Sequence, residues 1–432
     1  MKHGIAAGVA VVALAGAAVD AGMKQMEIKG STSLTGSTVS YDNGAKAYRG
    51  GGSDSRALLD VDLDFKMKFS QDVSARIDLE LDNAMAGDST FTGKTPSTAT
   101  VANGNRFGFG VDQAYFKMSD FLFKNFSLTV GKQNLNFSLR DNRNFSWGWW
   151  DPIAVVGTYS TRDVDVRLYW AKYNDESTLA GSTSTNDKDQ DLIGSYLEYW
   201  LSDDSLAIGY LNYFTNQATM SDIFHYGLGI DYFHGEALEL YAEAAGQSIN
   251  GPTAATDGSA YQVTAGAQYA FTQFDLKPTF NLEYYVQSGA DKAKPAWQKI
   301  GAGGARGADN QSLFVESMGR DSAVNDLGFG VGLADHGGAG YSVIRLNGWL
   351  SPTKSLKAGL GIHIFKDEDK PVTKDDMGIE VDLTGAWKYS PDVTFRAGAF
   401  DWTGAETDGA TALASGSYEN VIGGVIGSSL EF

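Results

Sequence analysis

From Leu59 to Phe69 every second residue is apolar, and the residues between them, Asp60, Asp62, Asp64, Lys66 and Lys68, are all charged. A period of two is the mark of a β-strand with two unlike faces. Here one face needs water and the other needs an apolar environment. The unit recurs at once. After the hairpin-length connection Ser70-Gln71-Asp72, the apolar residues Val73, Ala75, Ile77, Leu79 and Leu81 alternate with Ser74, Arg76, Asp78 and Glu80. The same alternation returns in 164–170, 237–245, 276–287, 356–365 and 378–389.

The connections between such segments sort into two classes. Eight are tight, at 70–72, 119–125, 161–163, 202–205, 234–236, 272–275, 351–355 and 390–392. Nine are longer and mostly rich in Gly, Ser, Thr and Asn, at about 41–56, 82–105, 137–153, 173–190, 215–222, 248–258, 288–339, 366–377 and 402–417. Seventeen alternating connections predict eighteen strands with both ends on the tight-turn rim. The expected fold is all-β: a transmembrane antiparallel up-and-down β-barrel of about 18 strands, with short periplasmic turns and long extracellular loops. It would occupy 22–432, with a long inserted loop at about 288–339. A soluble β-sandwich would also alternate, but its enclosed interior would not call for charges opposite the apolar face in almost every strand. The chain ends with Ile422, Ile426, Leu430 and Phe432 on one face, and Tyr199, Trp200, Tyr232, Trp349, Phe365, Trp387 and Tyr389 cluster near strand ends as an interfacial girdle would.

At the N-terminus, Lys2 and His3 precede an apolar run, Ile5 to Val19, that is too short to span a bilayer. Val19-Asp20-Ala21 fits a cleavage site, so residues 1–21 read as an export signal removed near Ala21. The net charge of −19 argues against nucleic acid as a partner. The absence of cysteine excludes disulfides, thiol chemistry and a cysteine lipid anchor.

If the apolar face meets lipid, the charges face the lumen. A hairpin centred on Gln71 sets Lys68 beside Ser74, Lys66 beside Arg76, Asp64 beside Asp78, Asp62 beside Glu80 and Asp60 beside Asp82. Six carboxylates then line one upper wall above a small basic band. Like charges placed opposite one another are destabilising. Three readings follow: a solvated wall neutralised by Arg106, Lys132, Arg140 or Arg143, a charge-selective constriction, or a bound divalent cation, for which no calcium-loop spacing is present. Arg167, Glu239, Glu243, Glu283, Arg345, Glu380 and Asp382 fall on lumen-facing positions of other strands.

Two long connections are candidates for narrowing the pore. The stretch 129–152 carries Lys132, expected to face the lumen, and then Arg140, Arg143, Trp147, Trp149 and Trp150; its other reading is an aromatic belt with snorkelling arginines. The 288–339 connection is basic in an acidic protein, with Lys299 and Arg306 among its cations, and either folds inward or forms an extra hairpin outside the membrane. Its Gly-rich run at 301–307 lacks the Gly-Lys-Ser/Thr ending of a phosphate loop. Of the histidines beyond the signal, His225, His234, His336 and His363, none is spaced as in a hydrolase or a zinc site, so neither an enzyme, a metal nor a cofactor is expected.

The stretches DQAYFKM, FSLTVGKQNLNF, WGWWDPIAVVGTYS and VDVRLYWAKYN, within 112–174, resemble the alginate-export family of outer-membrane porins. Ala114, Tyr115, Val130, Gly131, Gln133, Leu135, Trp150 and Asp151 match that family's pattern, and Lys132 stands where the family commonly has Arg. The resemblance implies an eighteen-stranded barrel and a channel role. It also implies a basic track for a polyanion, for which Arg76, Lys132, Arg140, Arg143, Arg167 and Arg345 are the candidates. The heavy acidic wall departs from such a conduit. The expected function is passive diffusion of small hydrophilic solutes or ions across the bacterial outer membrane, by a homotrimer or a monomer with lipid around it. The alternative is a structural or adhesive surface barrel with a loop-closed lumen.

Overall fold

Strands with one apolar and one wet face can turn the first to lipid by closing into a ring, and closure also removes the unpaired edges. The computed structural model describes residues 22–41, 53–86, 109–135, 152–174, 190–216, 221–251, 257–289, 340–367, 376–404 and 420–432. Eighteen strands run through them: β1 (Gln25–Tyr41), β2 (Ser53–Lys68), β3 (Val73–Ala86), β4 (Phe109–Met118), β5 (Phe126–Lys132), β6 (Ile153–Ser160), β7 (Val164–Asn174), β8 (Gln190–Ser202), β9 (Ser205–Asn216), β10 (Ser221–His234), β11 (Leu238–Asn250), β12 (Gly258–Ala270), β13 (Thr279–Gln287), β14 (Tyr341–Thr353), β15 (Leu356–Asp367), β16 (Asp376–Lys388), β17 (Val393–Gly404) and β18 (Asn420–Glu431). Each pairs antiparallel with its sequence neighbours, and β1 closes the ring against β18. No helix occurs among the described residues. At ordinary strand spacing and tilt, such a ring is about 35 Å across.

The short turns follow β2, β4, β6, β8, β10, β12, β14 and β16, so all eight lie on one rim. Their local chemistry repeats. In Ser70-Gln71-Asp72-Val73 the Ser70 hydroxyl oxygen accepts from the Asp72 and Val73 amides at 3.1 and 3.0 Å, and Ser390 does the same for Asp392 and Val393 at 3.3 and 3.1 Å. Thr161 Oγ1 accepts from the Val164 amide at 3.2 Å. A side-chain acceptor at the first turn position replaces a missing backbone partner.

Which face is inside follows from curvature. On a convex wall side chains diverge and stay accessible, whereas on a concave wall they converge and cover one another. One row of each strand carries accessible large apolar residues, such as Leu228, Ile426 and Leu383 at 73, 68 and 61% exposure. The alternate row carries polar groups that are covered on β9 to β16 and partly covered on β2 and β3. The first row is the lipid face. Leu168 and Trp170 lie on it, as expected, with Ile422 and Phe432.

Some expected positions differ. Phe365 is not a girdle residue: it is fully buried on the inner face, edge-on to Trp402 with ring centres 5.7 Å apart. Trp349 is also on the inner row, opposite Gly359, with Lys357 Nζ 5.3 Å from its ring centre. The inner row is itself apolar in places: Leu192, Ile208, Phe214, Ile223 and Ile249 are buried there. β9 is apolar in both phases, so alternation could not rank its faces.

Candidate functional site

The hairpin register places the charges of β1 to β4 in four transverse rows on the inner wall. From the short-turn rim upward they read Gln25, Lys68, Ser74, Lys117; then Glu27, Lys66, Arg76, Tyr115; then Lys29, Asp64, Asp78, Gln113; then Ser31, Asp62, Glu80, Gly110. The lowest row holds two lysines and the highest two carboxylates, so the wall changes sign along the pore axis.

Arg76 governs the crossover. Its Nε donates to Asp64 Oδ1 at 2.8 Å, Nη2 to Asp78 Oδ2 at 3.0 Å and Nη1 to Gln113 Oε1 at 3.3 Å. Lys66 Nζ also lies 3.1 Å from Asp64 Oδ2. The like-charged cross-strand pairs Lys66–Arg76 and Asp64–Asp78 are therefore resolved diagonally, within the hairpin. One row higher, Ser31 Oγ donates to Asp62 Oδ2 at 2.9 Å.

Two sequence expectations change here. Asp60 does not face Asp82 alone: Leu59 pairs with Ala84 and Val61 with Leu81, so Asp82 and Asn83 together oppose Asp60 in a bulge. A bulge carries one residue more on one strand than on the other, and a turn-based register cannot foresee it. Lys132 pairs with Ala114 and Ile153 on the outward row and donates to the Val111 carbonyl. Gln133, beside it, is buried and donates to the Ala154 carbonyl at 3.0 Å. The register runs unbroken through Gly131, so regular alternation keeps Lys132 on the same outward row as Leu128 and Val130 and sets Gln133 inward. Arg106, Arg140, Arg143, Trp147, Trp149, Trp150, Lys299 and Arg306 lie outside the described residues, as do residues 1–21.

The other charged positions fall on the inner row, and those of β11 to β16 are in a drier setting. Glu283 and Arg345 are cross-strand neighbours, both 1% exposed or less, and form an ion pair. The Arg345 guanidinium lies 5.4 Å from the Tyr285 ring centre. His363 Nε2 lies 3.2 Å from Asp382 Oδ2, and Glu380 stands beside His363 in register. Glu239 is buried too. On β7, Arg167 Nε donates to Asp165 Oδ1 at 2.7 Å and covers the Tyr196 ring.

A repeated device runs through this sector that sequence reading missed. Tyr169 on β7 lies across Gly194 on β8 and donates to Asn212 on β9. Tyr210 on β9 lies across Gly227 on β10 and donates to Glu243 on β11 at 2.8 Å. Tyr241 on β11 lies across Gly266 on β12 and donates to Glu283 on β13. A Cβ at any of the three glycines would overlap the ring. Each glycine leaves a gap that a flat ring fills, so the ring lies along the wall rather than across the lumen. The inner surface thus has a wet, sign-changing arc at β1 to β4 and a dry, internally bonded arc at β9 to β16. Among the described residues no group of three His, Asp or Glu is placed to hold a metal ion.

No family model and no curated protein matches the chain. Solved structures do share its fold. Pseudomonas aeruginosa OccK9 (OpdG) aligns with a TM-score of 0.54 at 13% identity, over 95% of this chain and 100% of that one. Pseudomonas aeruginosa OccD3 (OpdP) gives 0.52 at 11% identity, over 95% and 93%. The outer membrane channel DcaP of Acinetobacter baumannii gives 0.48 at 11%, over 94% and 97%. None of these comparisons bears on the alginate-export family as such. The chain is a closed eighteen-stranded antiparallel barrel of the kind found in outer-membrane porins.

Proposed function

We propose that the protein is an outer-membrane channel for passive diffusion of small hydrophilic or charged solutes. One observation carries the reading: a ring of eighteen strands whose convex face is apolar also has a charged, water-accessible arc on its concave face. Such an arc is costly unless it lines an aqueous path. The lining would comprise Asp62, Asp64, Lys66, Lys68, Arg76, Asp78 and Glu80. Asp62 and Glu80 would favour cations in the upper half. A small solute suits this wall better than a polyanionic polysaccharide, which would meet those carboxylates. No nucleotide coupling is invoked, and the channel is not a catalyst.

Planar-bilayer recording of the purified protein tests the proposal. Steady ohmic steps with cations favoured at low salt support it. The buried inner arc from β9 to β16 favours one rival, a barrel that anchors surface loops and has a closed lumen. Stable insertion without conductance would select that rival.

A further inference from the structure

The lowest row of the wet arc borders a cavity of about 370 Å³ at the short-turn rim, between the turn after β2 and the foot of β4. Lys66, Lys68 and Lys117 line it with Ser70, Ser74 and Ser119. Ser74 stands between Lys68 and Lys117 in register, so a hydroxyl is flanked by a lysine on each neighbouring strand. Lys68 and Lys117 make no ion pair among the described residues, whereas Lys66 is shared with Asp64. The Arg76 guanidinium, at the cavity's upper edge, is committed to Asp64, Asp78 and Gln113. The Ser70 oxygen accepts two turn amides, which leaves its O–H free to donate. Glu27 also borders the cavity, but it is paired with Lys29 at 2.9 Å, and the remaining acid is Asp72.

We infer that this cavity is a phosphate-group site at the periplasmic mouth of the barrel, for inorganic phosphate or a phosphorylated small solute. A carboxylate is best held by a two-pronged guanidinium, and the only arginine here is already engaged. Ammonium groups act as point charges and need no planar partner. A phosphate group presents three acceptor oxygens on one centre, enough for two lysines and a converging serine hydroxyl. Lys66, Lys68, Ser74, Arg76 and Lys117 of its lining belong to the inner row. The site goes beyond the channel reading, and binding can be measured apart from conduction.

The test is isothermal titration of the detergent-solubilised full chain at low ionic strength with inorganic phosphate, glycerol 3-phosphate and succinate. Saturable binding of inorganic phosphate, or of both phosphates, with succinate weaker, is expected. Lys68→Gln with Lys117→Gln should weaken phosphate binding about tenfold or more, since each removes a charge-assisted hydrogen bond. Lys68→Arg with Lys117→Arg should keep most of it. Lys354→Gln, on the same rim but outside the cavity, should change nothing. Heat-modifiable gel migration confirms that each variant is folded. Binding of glycerol 3-phosphate alone would assign the site to phosphorylated solutes. No saturable heat with either inorganic phosphate or glycerol 3-phosphate, unchanged affinity in the double Gln variant, equal loss in Lys354→Gln, or tighter succinate would each overturn the inference. Binding without conductance would leave the site and remove the channel; conductance without binding would do the reverse.

Discussion

Replacing Arg76 by Gln removes the cation that sits between Asp64 and Asp78 and exposes the whole acidic wall to a passing ion. An ion moving along this wall passes about 7 Å from the lost charge, where the bare interaction in water is about 0.6 kcal/mol. A Debye length of about 10 Å at 0.1 M salt halves that to about 0.3 kcal/mol. Cations gain this amount and anions lose it, so the cation-to-anion permeability ratio should rise roughly 2- to 3-fold. At 1 M, with screening over about 3 Å, the same sum leaves about a 1.2-fold change. The assay is the reversal potential across a KCl gradient in a planar bilayer, run at both salt levels. An unchanged ratio at low salt would mean that the path does not run along this arc. A shift of equal size at both levels would mean that the variant changed the pore's shape rather than its field.

Two further outcomes follow from the two faces. Leu228, 73% exposed at the middle of β10, should face the bilayer centre, and Leu228→Arg should destabilise the folded barrel by about 2–4 kcal/mol in vesicle-based urea unfolding, against little change for Leu228→Val. Arg345→Gln should cost about 3–5 kcal/mol because it strands Glu283 inside the dry arc, while Arg345→Met with Glu283→Gln should recover much of that loss in the same unfolding assay.

Most of the barrel could be read from the chain because one local rule, period two, reports two solvents at once. Tight turns of fixed length then set the pairing of Asp62 with Glu80 and of Asp64 with Asp78. Three kinds of fact were hidden. The bulges opposite Asp60 and between Gln113 and Val111 each shift register by a residue, and no residue type there announces this. Where both phases are apolar, as on β9, alternation cannot assign the faces. Sequence reading looks to Arg106, Lys132, Arg140 and Arg143 for the cations that neutralise the acidic wall, whereas Arg76 within the hairpin already pairs with Asp64 and Asp78. The bonds of Tyr169, Tyr210 and Tyr241 skip a strand, so no rule about adjacent segments could reach them.

Those three tyrosines have a mechanical meaning. A backbone ladder ties a strand only to its immediate neighbour, so a barrel held by ladders alone can unzip one seam at a time. A ring lying over a glycine and bonded two strands away spans two seams together. The three straps run end to end, from β7 to β9, β9 to β11 and β11 to β13, and bind seven strands into one stiff segment of hoop. Radial load on the barrel is then borne unevenly: the laced arc resists splaying as a unit, and bending concentrates in the seams beyond it, on the side where β18 meets β1.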